Sequence, residues 1–368
     1  MRSGLSILHI FSTFKIGGPQ VRFAELAAGF GDRFSHTIIA MDGNYDAARF
    51  LPPGVDIRYG GHPPKGGFLV SRLASYRRAL VEKAPDLLVT YNWGAIEWAL
   101  ATLTKRMPHI HIEDGFGPEE AVRQIRRRVL TRRAALSHSQ VIVPSLTLRD
   151  LALQVWRLDP KRLHYIPNGI PPHNPTPMPP GLAEIPADRP RIVWAGAVRR
   201  EKNLPRLLDA FAPLRDQAFL IVAGDGPELE PARRQAETMS LQGSVSFLGR
   251  REDIRDILPH CDLLAISSDT EQMPLVVLEA MAAGLPVAGT RVGDVAHMVA
   301  EENRPYIVNS SDTELSDAIR RLVADRTARQ TIGTANRRRW LQDYQAESMA
   351  AAYAALFRRT AGIEAQGA

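Results

Sequence analysis

Two runs of short apolar segments alternating with helical patterns, separated by a proline-rich stretch, constrain the fold of this chain most. Nine prolines lie between Pro167 and Pro190, a density at which neither a helix nor a strand survives. The stretch therefore predicts a stiff linker. At 368 residues the chain also exceeds the roughly 250 residues at which a single hydrophobic core stops growing. Both observations predict two domains.

The first run begins with a strand, a glycine-containing loop and a helix. Residues 6–11 are apolar, residues 15–20 break the segment, and residues 21–30 repeat apolar side chains at helical spacing. Helical patterns separate the further apolar segments, which are 37–40, 87–90, 109–112, 141–143 and 164–166. Strands that alternate with helices indicate a parallel sheet covered on both faces.

The alternation restarts after the linker. Its apolar segments are 191–195, 219–223, 245–248, 262–267, 286–289 and 306–308, and helical patterns over 313–344 and 347–359 close the chain. We therefore predict an α/β fold of two Rossmann-like, doubly wound domains facing a central cleft, where ligands of open α/β sheets bind. The predicted boundaries are 1–170, a linker over 171–190, and 191–344.

The composition is that of a globular protein, with 45% hydrophobic and 23% charged residues. Cys261 is the only cysteine, which excludes an internal disulfide framework and suits a reducing compartment. No uncharged apolar stretch approaches the roughly 18 residues of a membrane span. We therefore expect a cytoplasmic protein.

The net charge of +6 is concentrated in one basic segment. Residues 123–133 carry six arginines with apolar residues between them, which predicts a basic amphipathic helix. Two interpretations stay open: a solvated face, or a face formed by Arg123, Arg126, Arg127 and Arg128 that binds an anionic membrane or a phosphate-bearing acceptor. No aromatic-rich basic stretch or zinc-finger spacing accompanies the charge, so nucleic acid is not an expected partner.

Residues 267–287 contain the most informative motif. Pro274 suits the first turn of a helix, Gly284 the position after its end, and Pro286 forbids its continuation. The predicted helix thus runs from 274 to 283, with Glu271 in the loop before it and Glu279 within it. Because a helix N-terminus attracts phosphate, and carboxylates beside a phosphate must face hydroxyl groups, the motif indicates a phosphorylated polyol such as a nucleotide sugar.

The spacing Glu-x7-Glu followed by Ala-Met-Ala-x-Gly-x-Pro-Val resembles the retaining glycosyltransferases of the GT4 family, which have the GT-B fold. The resemblance implies that Glu271 contacts the hydroxyl groups of the donor sugar and that Glu279 contacts the nucleotide ribose. It places Gln272, Met273, Pro274 and Leu275, at the start of the helix, against the donor. It also implies that a C-terminal helix over about 345–368 packs back on the first domain.

A second segment, Ala195-Gly-Ala-Val-Arg-Arg-Glu-Lys202, resembles the diphosphate loop of that family. Gly196 and Lys202 match the family pattern, whereas Ala197 stands where an arginine is usual. Arg199 or Arg200 could replace that cation, because a guanidinium on a loop reaches a phosphate from a neighbouring position. We assign Lys202 and Arg199 to the departing diphosphate.

Two further segments of the second half resemble the family. Gly224-Asp-Gly-Pro227 follows a strand and opens a helix, and Phe247-Leu-Gly-Arg250 resembles the next strand end, near which the base usually lies. We treat both as support for the topology and assign Arg250 to the donor site.

In the first half, Gly17 and Gly18 resemble the glycine loop that faces the donor phosphate and the acceptor. Glycine lets backbone N–H groups approach an anion without a Cβ atom in the way, although a plain strand-to-helix turn needs the same residues. Residues 166–169, Ile-Pro-Asn-Gly, resemble the hinge of the family and support the domain boundary without indicating chemistry.

The segment 109–117 departs from the family, many of whose members place a histidine near the sugar just before a glycine. Asp114 occupies that position here, and His111 lies three residues earlier. Alternation along the strand puts His109, His111 and Glu113 on one face and Asp114 on the other. Asp114 is therefore our candidate to accept a hydroxyl hydrogen bond or a proton, with a helix cap as the alternative.

The resemblance implies a retaining, metal-independent transfer of a hexose-like sugar from a nucleotide-diphosphate sugar to a hydroxyl acceptor on a glycan or lipid, in bacterial surface polysaccharide or lipopolysaccharide synthesis. No cofactor is expected, because the chain lacks Asp-x-Asp and any metal-ligand spacing. Two alternatives stay open: a nucleotide-sugar epimerase of similar fold, and an inactive nucleotide-sugar-binding homologue. An NAD-linked oxidoreductase is disfavoured because no Gly-x-Gly-x-x-Gly follows the first strand of either domain.

Overall fold

The computed structural model describes residues 4–61, 66–104, 107–116, 118–120, 124–174 and 177–363. The chain divides into two compact units, one formed by Met1–Gly169 with Ala346–Ala368 and the other by Ile170–Gln345. Each contains a parallel sheet flanked by helices. The predicted α/β class with two Rossmann-like domains is confirmed.

Seven parallel strands form the sheet of the first unit, in the order β3-β2-β1-β4-β5-β6-β7. They are β1 (Leu5–Phe11), β2 (Phe34–Ala40), β3 (Ile57–Tyr59), β4 (Leu87–Tyr91), β5 (His109–Ile112), β6 (Gln140–Val143) and β7 (Leu163–Tyr165). The inner strands are buried on both faces, which explains their nearly continuous apolar sequence. The sequence pattern missed the short, mostly exposed edge strand β3, because it lacks such a run.

In the described part of these connections the α-helices are α1 (Gly18–Phe30), α2 (Leu69–Lys83), α3 (Ile96–Thr102), α4 (Arg126–Ala135) and α5 (Leu146–Gln154). The α2, α3, α4 and α5 helices bury their apolar sides in two adjoining clusters on one face of the sheet. The α1 helix packs in a separate cluster that covers the other face. The strand order reverses beside β1, so helices on either side of this point cover opposite faces.

Six parallel strands form the sheet of the second unit, in the order β10-β9-β8-β11-β12-β13. They are β8 (Arg191–Ala195), β9 (Phe219–Ala223), β10 (Val245–Gly249), β11 (Leu263–Ile266), β12 (Val287–Thr290) and β13 (Ile307–Val308). The helices are α6 (Leu204–Phe211), α7 (Leu229–Thr238), α8 (Ile254–Ile257), α9 (Leu275–Ala282), α10 (Val295–Met298), α11 (Asp312–Ala324) and α12 (Arg326–Asp343).

The ends of the helices follow their capping residues. The α9 helix begins after Pro274 and ends before Gly284, whose φ of +75° is the left-handed conformation that favours glycine. The helical pattern over 313–344 is two helices rather than one. The side chain of Asp325 accepts a hydrogen bond from the N–H of Ala328 and starts α12 anew.

The proline-rich stretch is not only a connection. The predicted linker, residues 171–190, groups with the second unit, which begins at Ile170. Leu182 and Ile185 are buried in its core, and Nη2 of Arg191 donates a hydrogen bond of 2.5 Å to the carbonyl oxygen of Ile185. Prolines therefore prevent regular secondary structure in this stretch, while the apolar side chains between them pack.

The last helix, α13 (Ala346–Thr360), belongs to the first unit. Its residues Met349, Tyr353 and Phe357 are buried in the same cluster as Phe23 and Phe30 of α1. This helix therefore completes the apolar layer that α1 begins. Residues 364–368 of the expected C-terminal helix lie outside the described residues.

Candidate active site

The loop after β8 and the turn after β9 lie against each other in the second unit. A Cβ atom on Gly224 would lie 2.0 Å from the carbonyl oxygen of Gly196, and one on Gly226 would lie 2.4 Å from that of Val198. The N–H of Val198 donates to the carbonyl oxygen of Asp225 at 2.9 Å. The turn 224–227 therefore needs glycine because two backbones approach closely, and it fixes the loop that carries Lys202.

Lys202 and Glu271 form an ion pair at this edge of the second sheet. Nζ of Lys202 lies 2.5 Å from Oε1 of Glu271, and the exposed fractions of the two side chains are 27% and 10%. The hydroxyl of Ser268 donates to the same carboxylate oxygen at 2.7 Å. The hydroxyl of Ser267 donates to the carbonyl oxygen of Lys202 at 2.9 Å. The ends of two neighbouring strands thus bring together a cation and a carboxylate that are 69 residues apart.

The backbone before α9 is held by the loop after β12. The N–H of Asp294 donates to the carbonyl oxygen of Gln272 at 2.8 Å. A Cβ atom on Gly293, where φ is +50°, would lie 2.3 Å from the carbonyl oxygen of Glu271. Met273 is buried in the core, whereas Pro274 and Leu275 are half-buried. The four positions 272–275 therefore differ in exposure: the side chain of Met273 points into the core, and the other three are partly accessible.

Glu279 lies within α9, one turn from its start, and is half-buried. Nε of Arg255 in α8 lies 3.4 Å from its Oε1. The sequence motif did not indicate Arg255, because its distance from Glu279 depends on strand order rather than on local spacing.

The two arginines predicted at the donor site are exposed. Arg199 precedes a short 3-10 helix over 200–202. Arg250 follows β10, and its Nε lies 3.7 Å from Oε1 of Glu252. Neither side chain is fixed by burial, so each can move toward a ligand.

The Gly17-Gly18 loop begins α1 in the first unit. The carbonyl oxygen of Gly17 accepts hydrogen bonds from the N–H groups of Gln20 and Val21. The backbone of Gly17 is extended, and a Cβ atom on Gly18 would meet no atom within 4 Å. The conformation of the protein itself therefore does not require glycine at Gly18, and the surface there is open to approach.

Asp114, which follows β5, is surrounded by residues from three other segments. Its carboxylate forms an ion pair with Arg22 of α1. Asn92, at the end of β4, donates to its Oδ2 at 3.4 Å and accepts from its N–H at 2.6 Å. Nη1 of Arg22 also donates to Oδ1 of Asn168 at 3.2 Å. Asn168 lies in the Ile-Pro-Asn-Gly motif, which the sequence analysis used only to support the domain boundary. The contact of Asn168 with Arg22 was therefore not predicted.

Arg22 is almost completely buried, with 2% of its side chain exposed. Burial lowers its pKa, but the neighbouring Asp114 carboxylate more than compensates, so the pKa of Arg22 is raised. Its Nε and Nη2 have no hydrogen-bond partner within the described part of the chain. A permanent positive charge is therefore fixed beside Asp114.

The other polar residues of β5 face into the protein. Thr90 lies within hydrogen-bond distance of both His109 and His111, at 2.9 Å and 2.8 Å. Burial and His111 lower the pKa of His109 to about 3. Oε2 of the buried Glu113 lies 3.1 Å from Nε of the buried Arg132. His109, His111 and Glu113 thus share one interior face, whereas Asp114 is partly accessible.

The basic segment is less exposed than its sequence suggests. Arg126 and Arg127 are exposed, whereas Nη1 of Arg128 lies 2.7 Å from Glu119 and 3.0 Å from Glu120. Arg132 is fully buried, where it contacts Glu113, Glu120 and the ring of Trp156. The interpretation of Arg128 as part of a free basic face is therefore wrong, because acidic residues from the preceding turn neutralise it. Arg123 lies outside the described residues.

The described residues contain no group of three or more His, Cys, Asp or Glu side chains that could hold a metal ion. Within the same part of the chain, no helix has both the length and the apolar character needed to cross a bilayer.

Two family models match consecutive parts of the chain. The model described as glycosyl transferases group 1 matches residues 183–339. The model described as glycosyl transferase 4-like domain matches residues 17–169. The first match covers Gly196, Lys202, Glu271 and Glu279, and the second covers Gly17, Gly18 and Asp114.

Curated relatives and solved structures show the same similarity. Alpha-maltose-1-phosphate synthase of Mycolicibacterium smegmatis is 29% identical, with 89% of this chain and 92% of that protein covered. N-acetyl-alpha-D-glucosaminyl L-malate synthase of Bacillus anthracis is 28% identical over 169 residues, which are 45% of this chain and 44% of that protein. The structure of Anabaena Alr3699/HepE in complex with UDP-glucose has a TM-score of 0.81 at 20% identity, covering 95% of this chain and 98% of that one.

Proposed function

The chain belongs to the group 1, GT4-type glycosyltransferases with the GT-B fold, and on that premise we propose that it is a retaining enzyme. It transfers a hexose-like sugar from a nucleotide-diphosphate sugar to a hydroxyl group of a glycan or a lipid-linked acceptor. The second unit binds the donor, and the first unit binds the acceptor. The setting is the synthesis of a bacterial surface polysaccharide or lipopolysaccharide.

The ion pair between Lys202 and Glu271 is the observation that carries this proposal. A nucleotide-diphosphate sugar presents a dianionic diphosphate next to neutral sugar hydroxyls. An ammonium group binds the first, and a carboxylate accepts hydrogen bonds from the second. The two side chains are 2.5 Å apart and partly accessible, so a donor can take the place of each as the hydrogen-bond partner of the other.

The remaining predicted donor residues take roles around this pair. Glu279 accepts hydrogen bonds from the ribose hydroxyls, and Arg250 lies beside the base. Gly196 and residues 272–275 lie against the diphosphate and the sugar, where the positive end of the α9 helix dipole favours an anion. Arg199 supplies the second cation that the family has at the position of Ala197.

The reaction breaks the bond between the anomeric carbon and the diphosphate oxygen and forms a bond from the same carbon to the acceptor oxygen. The proton of the acceptor hydroxyl goes to the departing phosphate on the same face of the sugar. Lys202 and Arg199 of the second unit stabilise the negative charge that develops on the diphosphate, and such stabilisation is usually the largest catalytic contribution. The Gly17-Gly18 loop of the first unit offers its backbone to a phosphate or to the acceptor. Asp114, held by Arg22 and Asn92, accepts a hydrogen bond from a substrate hydroxyl.

No step of this scheme needs a metal ion, because protein cations compensate the diphosphate. We therefore expect activity to persist in a chelating agent. We also place the enzyme in the cytoplasm, where nucleotide sugars are available, with Arg126 and Arg127 holding it at the inner face of a membrane.

The first test combines ligand binding with turnover. Thermal unfolding is measured with UDP, GDP, ADP and CMP and with their common sugars, for the natural protein, Glu279→Gln and the control Glu237→Gln, an exposed residue of α7. A ligand at 100 times its Kd stabilises by about 2.7 kcal/mol, which raises the Tm of a unit of this size by about 5–11 °C. We expect one nucleotide class to give this shift with the natural protein and the control, and a smaller shift with Glu279→Gln.

The nucleotide class that binds is then used to measure release of nucleoside diphosphate with a panel of acceptors. Release that requires an acceptor supports the proposed transfer. Conversion of the donor alone into an epimer would instead identify an epimerase, and binding without any release would identify an inactive homologue. UDP comes first, because the structural neighbour from Anabaena was solved with UDP-glucose.

A further inference from the structure

The start of α2 exposes three consecutive large apolar side chains. Phe68 is 87% exposed, Leu69 45% and Val70 78%. Farther along the helix, the exposed Val81 lies eleven residues, or about three turns, after Val70 and so on the same side. The exposed Arg78 lies between them on that side. Single exposed apolar residues are ordinary, but a contiguous group marks an interaction site.

The outer side of α4 combines the same two kinds of residue. Arg126, Arg127 and Arg133 are exposed, and the exposed Leu130 lies between them. Ala135 is buried against the sheet side of the layer. The helix therefore presents basic and apolar side chains together to the solvent.

The α2 and α4 helices flank α3 in one layer on the same face of the sheet. The ring of Tyr76 in α2 stacks on Trp98 of α3 with 4.6 Å between centroids. Arg128 of α4 packs over Trp93, just before α3, at 5.3 Å. Because both helices bury their inner sides on this face, their outer sides point in the same direction. Of the exposed large apolar residues in the described part of the chain, six lie in α2 or α4 or directly before them: Phe68, Leu69, Val70, Val81, Ile125 and Leu130.

Acidic residues reduce the positive charge of this surface only in part. Glu97 is bonded to Arg72 of α2 at 2.7 Å, and Glu119 is bonded to Arg128. Both pairs are neutral as a whole. Glu82 is an exposed acidic residue of α2, against four exposed arginines, namely Arg78, Arg126, Arg127 and Arg133.

We infer that this outer surface, defined by residues 68–70, 78, 81, 126, 127, 130 and 133 and called the α2–α4 surface below, docks on an anionic lipid bilayer. Phe68 and Val70 lose water contact only if they enter an apolar medium, and arginines at the same level meet lipid phosphates. A polyanion would satisfy the arginines but not the apolar residues. This inference rests on the proposed function, in which the enzyme acts at a membrane surface. It adds that α2 is the element that inserts into the bilayer.

The test measures sedimentation of the full chain with two kinds of vesicle, one of phosphatidylcholine alone and one of phosphatidylcholine that contains about 30% phosphatidylserine. No donor or acceptor is present, so the result is independent of the proposed reaction. We expect binding to the anionic vesicles that weakens with salt. Arg126→Ala/Arg127→Ala should weaken it about 25-fold, at roughly fivefold for each arginine. Phe68→Ser/Val70→Ser should weaken it about tenfold or more.

Matched controls come from the second unit. Arg337→Ala/Arg338→Ala removes two exposed arginines of α12, and Leu341→Ser removes an exposed apolar residue of the same helix. Both should bind as the natural protein does. Equal losses in the controls and in the α2–α4 variants, or no binding to anionic vesicles at low salt, would overturn the inference.

Insertion is tested separately with an environment-sensitive dye. In a Cys261→Ala background, the dye is attached to Val70→Cys or to the control Leu341→Cys. We expect a blue shift on anionic vesicles for the label at position 70 and none for the label at 341. Binding without a shift at position 70 would show that α2 does not enter the bilayer, which would contradict its assignment as the inserted element.

Discussion

The two ion pairs that we assign to catalysis differ in their access to water. The pair between Arg22 and Asp114 in the first unit has exposed fractions of 2% and 13%, whereas the pair between Lys202 and Glu271 in the second has 27% and 10%. A buried guanidinium such as that of Arg22 cannot leave its carboxylate without a large free-energy cost, because it remains out of contact with water. The ammonium group of Lys202 is flexible and partly exposed, so it can leave its carboxylate at a smaller cost. The first pair therefore fixes geometry, and the second can exchange its partners for a ligand.

The largest expected effect is on stability, from removing one member of the buried pair. Asp114→Ala leaves the charge of Arg22 buried and without its carboxylate, which should lower the free energy of unfolding by about 3–5 kcal/mol. The double variant Arg22→Met/Asp114→Leu should recover most of this loss, because it leaves no unpaired charge. Urea unfolding followed by circular dichroism measures both.

Asp317→Ala serves as the control for this prediction. Asp317 pairs with Arg320 on the surface of α11, with both side chains more than one third exposed, so the variant should lose at most about 1 kcal/mol. If the single and double variants at the buried pair lose the same stability, the buried charge is not what matters there.

Lys202→Ala is expected to show the opposite pattern, with a small loss of stability and a large loss of activity. Removing one group that stabilises the developing charge typically lowers kcat by about 10²–10³-fold. Release of nucleoside diphosphate under saturating donor measures the effect, with the exposed Lys161→Ala as the control. Turnover within a few fold of the natural protein would show that Lys202 does not act on the diphosphate.

Acid should destabilise the first unit before the second. Burial lowers the pKa of His36 to about 4, and burial with His111 lowers that of His109 to about 3. Unfolded chains take up these protons near pH 6.5 while the folded unit does not, so stability is full above about pH 6.5 and falls as the pH drops toward the folded values. At pH 5 each histidine should cost about 2 kcal/mol.

Hydrogen exchange detected by mass spectrometry separates the two units in this experiment. We expect faster exchange in β1, β2 and β5 at pH 5 than at pH 7.5, after correction for the intrinsic rate, and little change in β8 and β9. Equal acceleration in both sheets would contradict the assignment of acid sensitivity to these histidines.

The smallest expected effect comes from the glycine that supports the exchangeable pair. Gly224→Ala places a Cβ atom 2.0 Å from the carbonyl oxygen of Gly196, so the loop must shift at a cost of about 1–3 kcal/mol. We expect the KM for the donor to rise, because the shifted loop carries Lys202. Gly243→Ala, whose Cβ atom would meet nothing within 4 Å, should leave both stability and KM unchanged. A Gly224→Ala protein that behaves like this control would show that the turn does not position the loop.

Much of this arrangement could be predicted from local sequence. Apolar segments gave most strand positions, and Pro274 and Gly284 predicted the ends of α9 to within one residue. These features depend on residues that are close in sequence, so the spacing of residues along the chain is sufficient to predict them. The same holds for Lys202 and Glu271, each of which lies in a recognisable loop beside a strand end.

The first-unit cluster could not be predicted in this way. Arg22, Asn92, Asp114 and Asn168 are separated by up to 146 residues, and they meet only because the strand order places the ends of β4 and β5 beside α1. The burial of Arg132 also could not be predicted from its own segment. That segment predicts a basic amphipathic helix whose arginines form an accessible face, whereas Glu113 and Glu120, from an adjacent strand end and turn, allow Arg132 to be buried.

The central claim is that a donor diphosphate takes the place of Glu271 as the partner of Lys202. Calorimetric titration of the nucleoside diphosphate that binds in the thermal test, into the natural protein, Glu271→Gln and Lys202→Ala, addresses it most directly. Glu271→Gln should bind the diphosphate more tightly than the natural protein, because Lys202 is free and a repelling charge is gone, and Lys202→Ala should bind it more weakly. Unchanged binding in Lys202→Ala, or weaker binding in Glu271→Gln, would contradict the account.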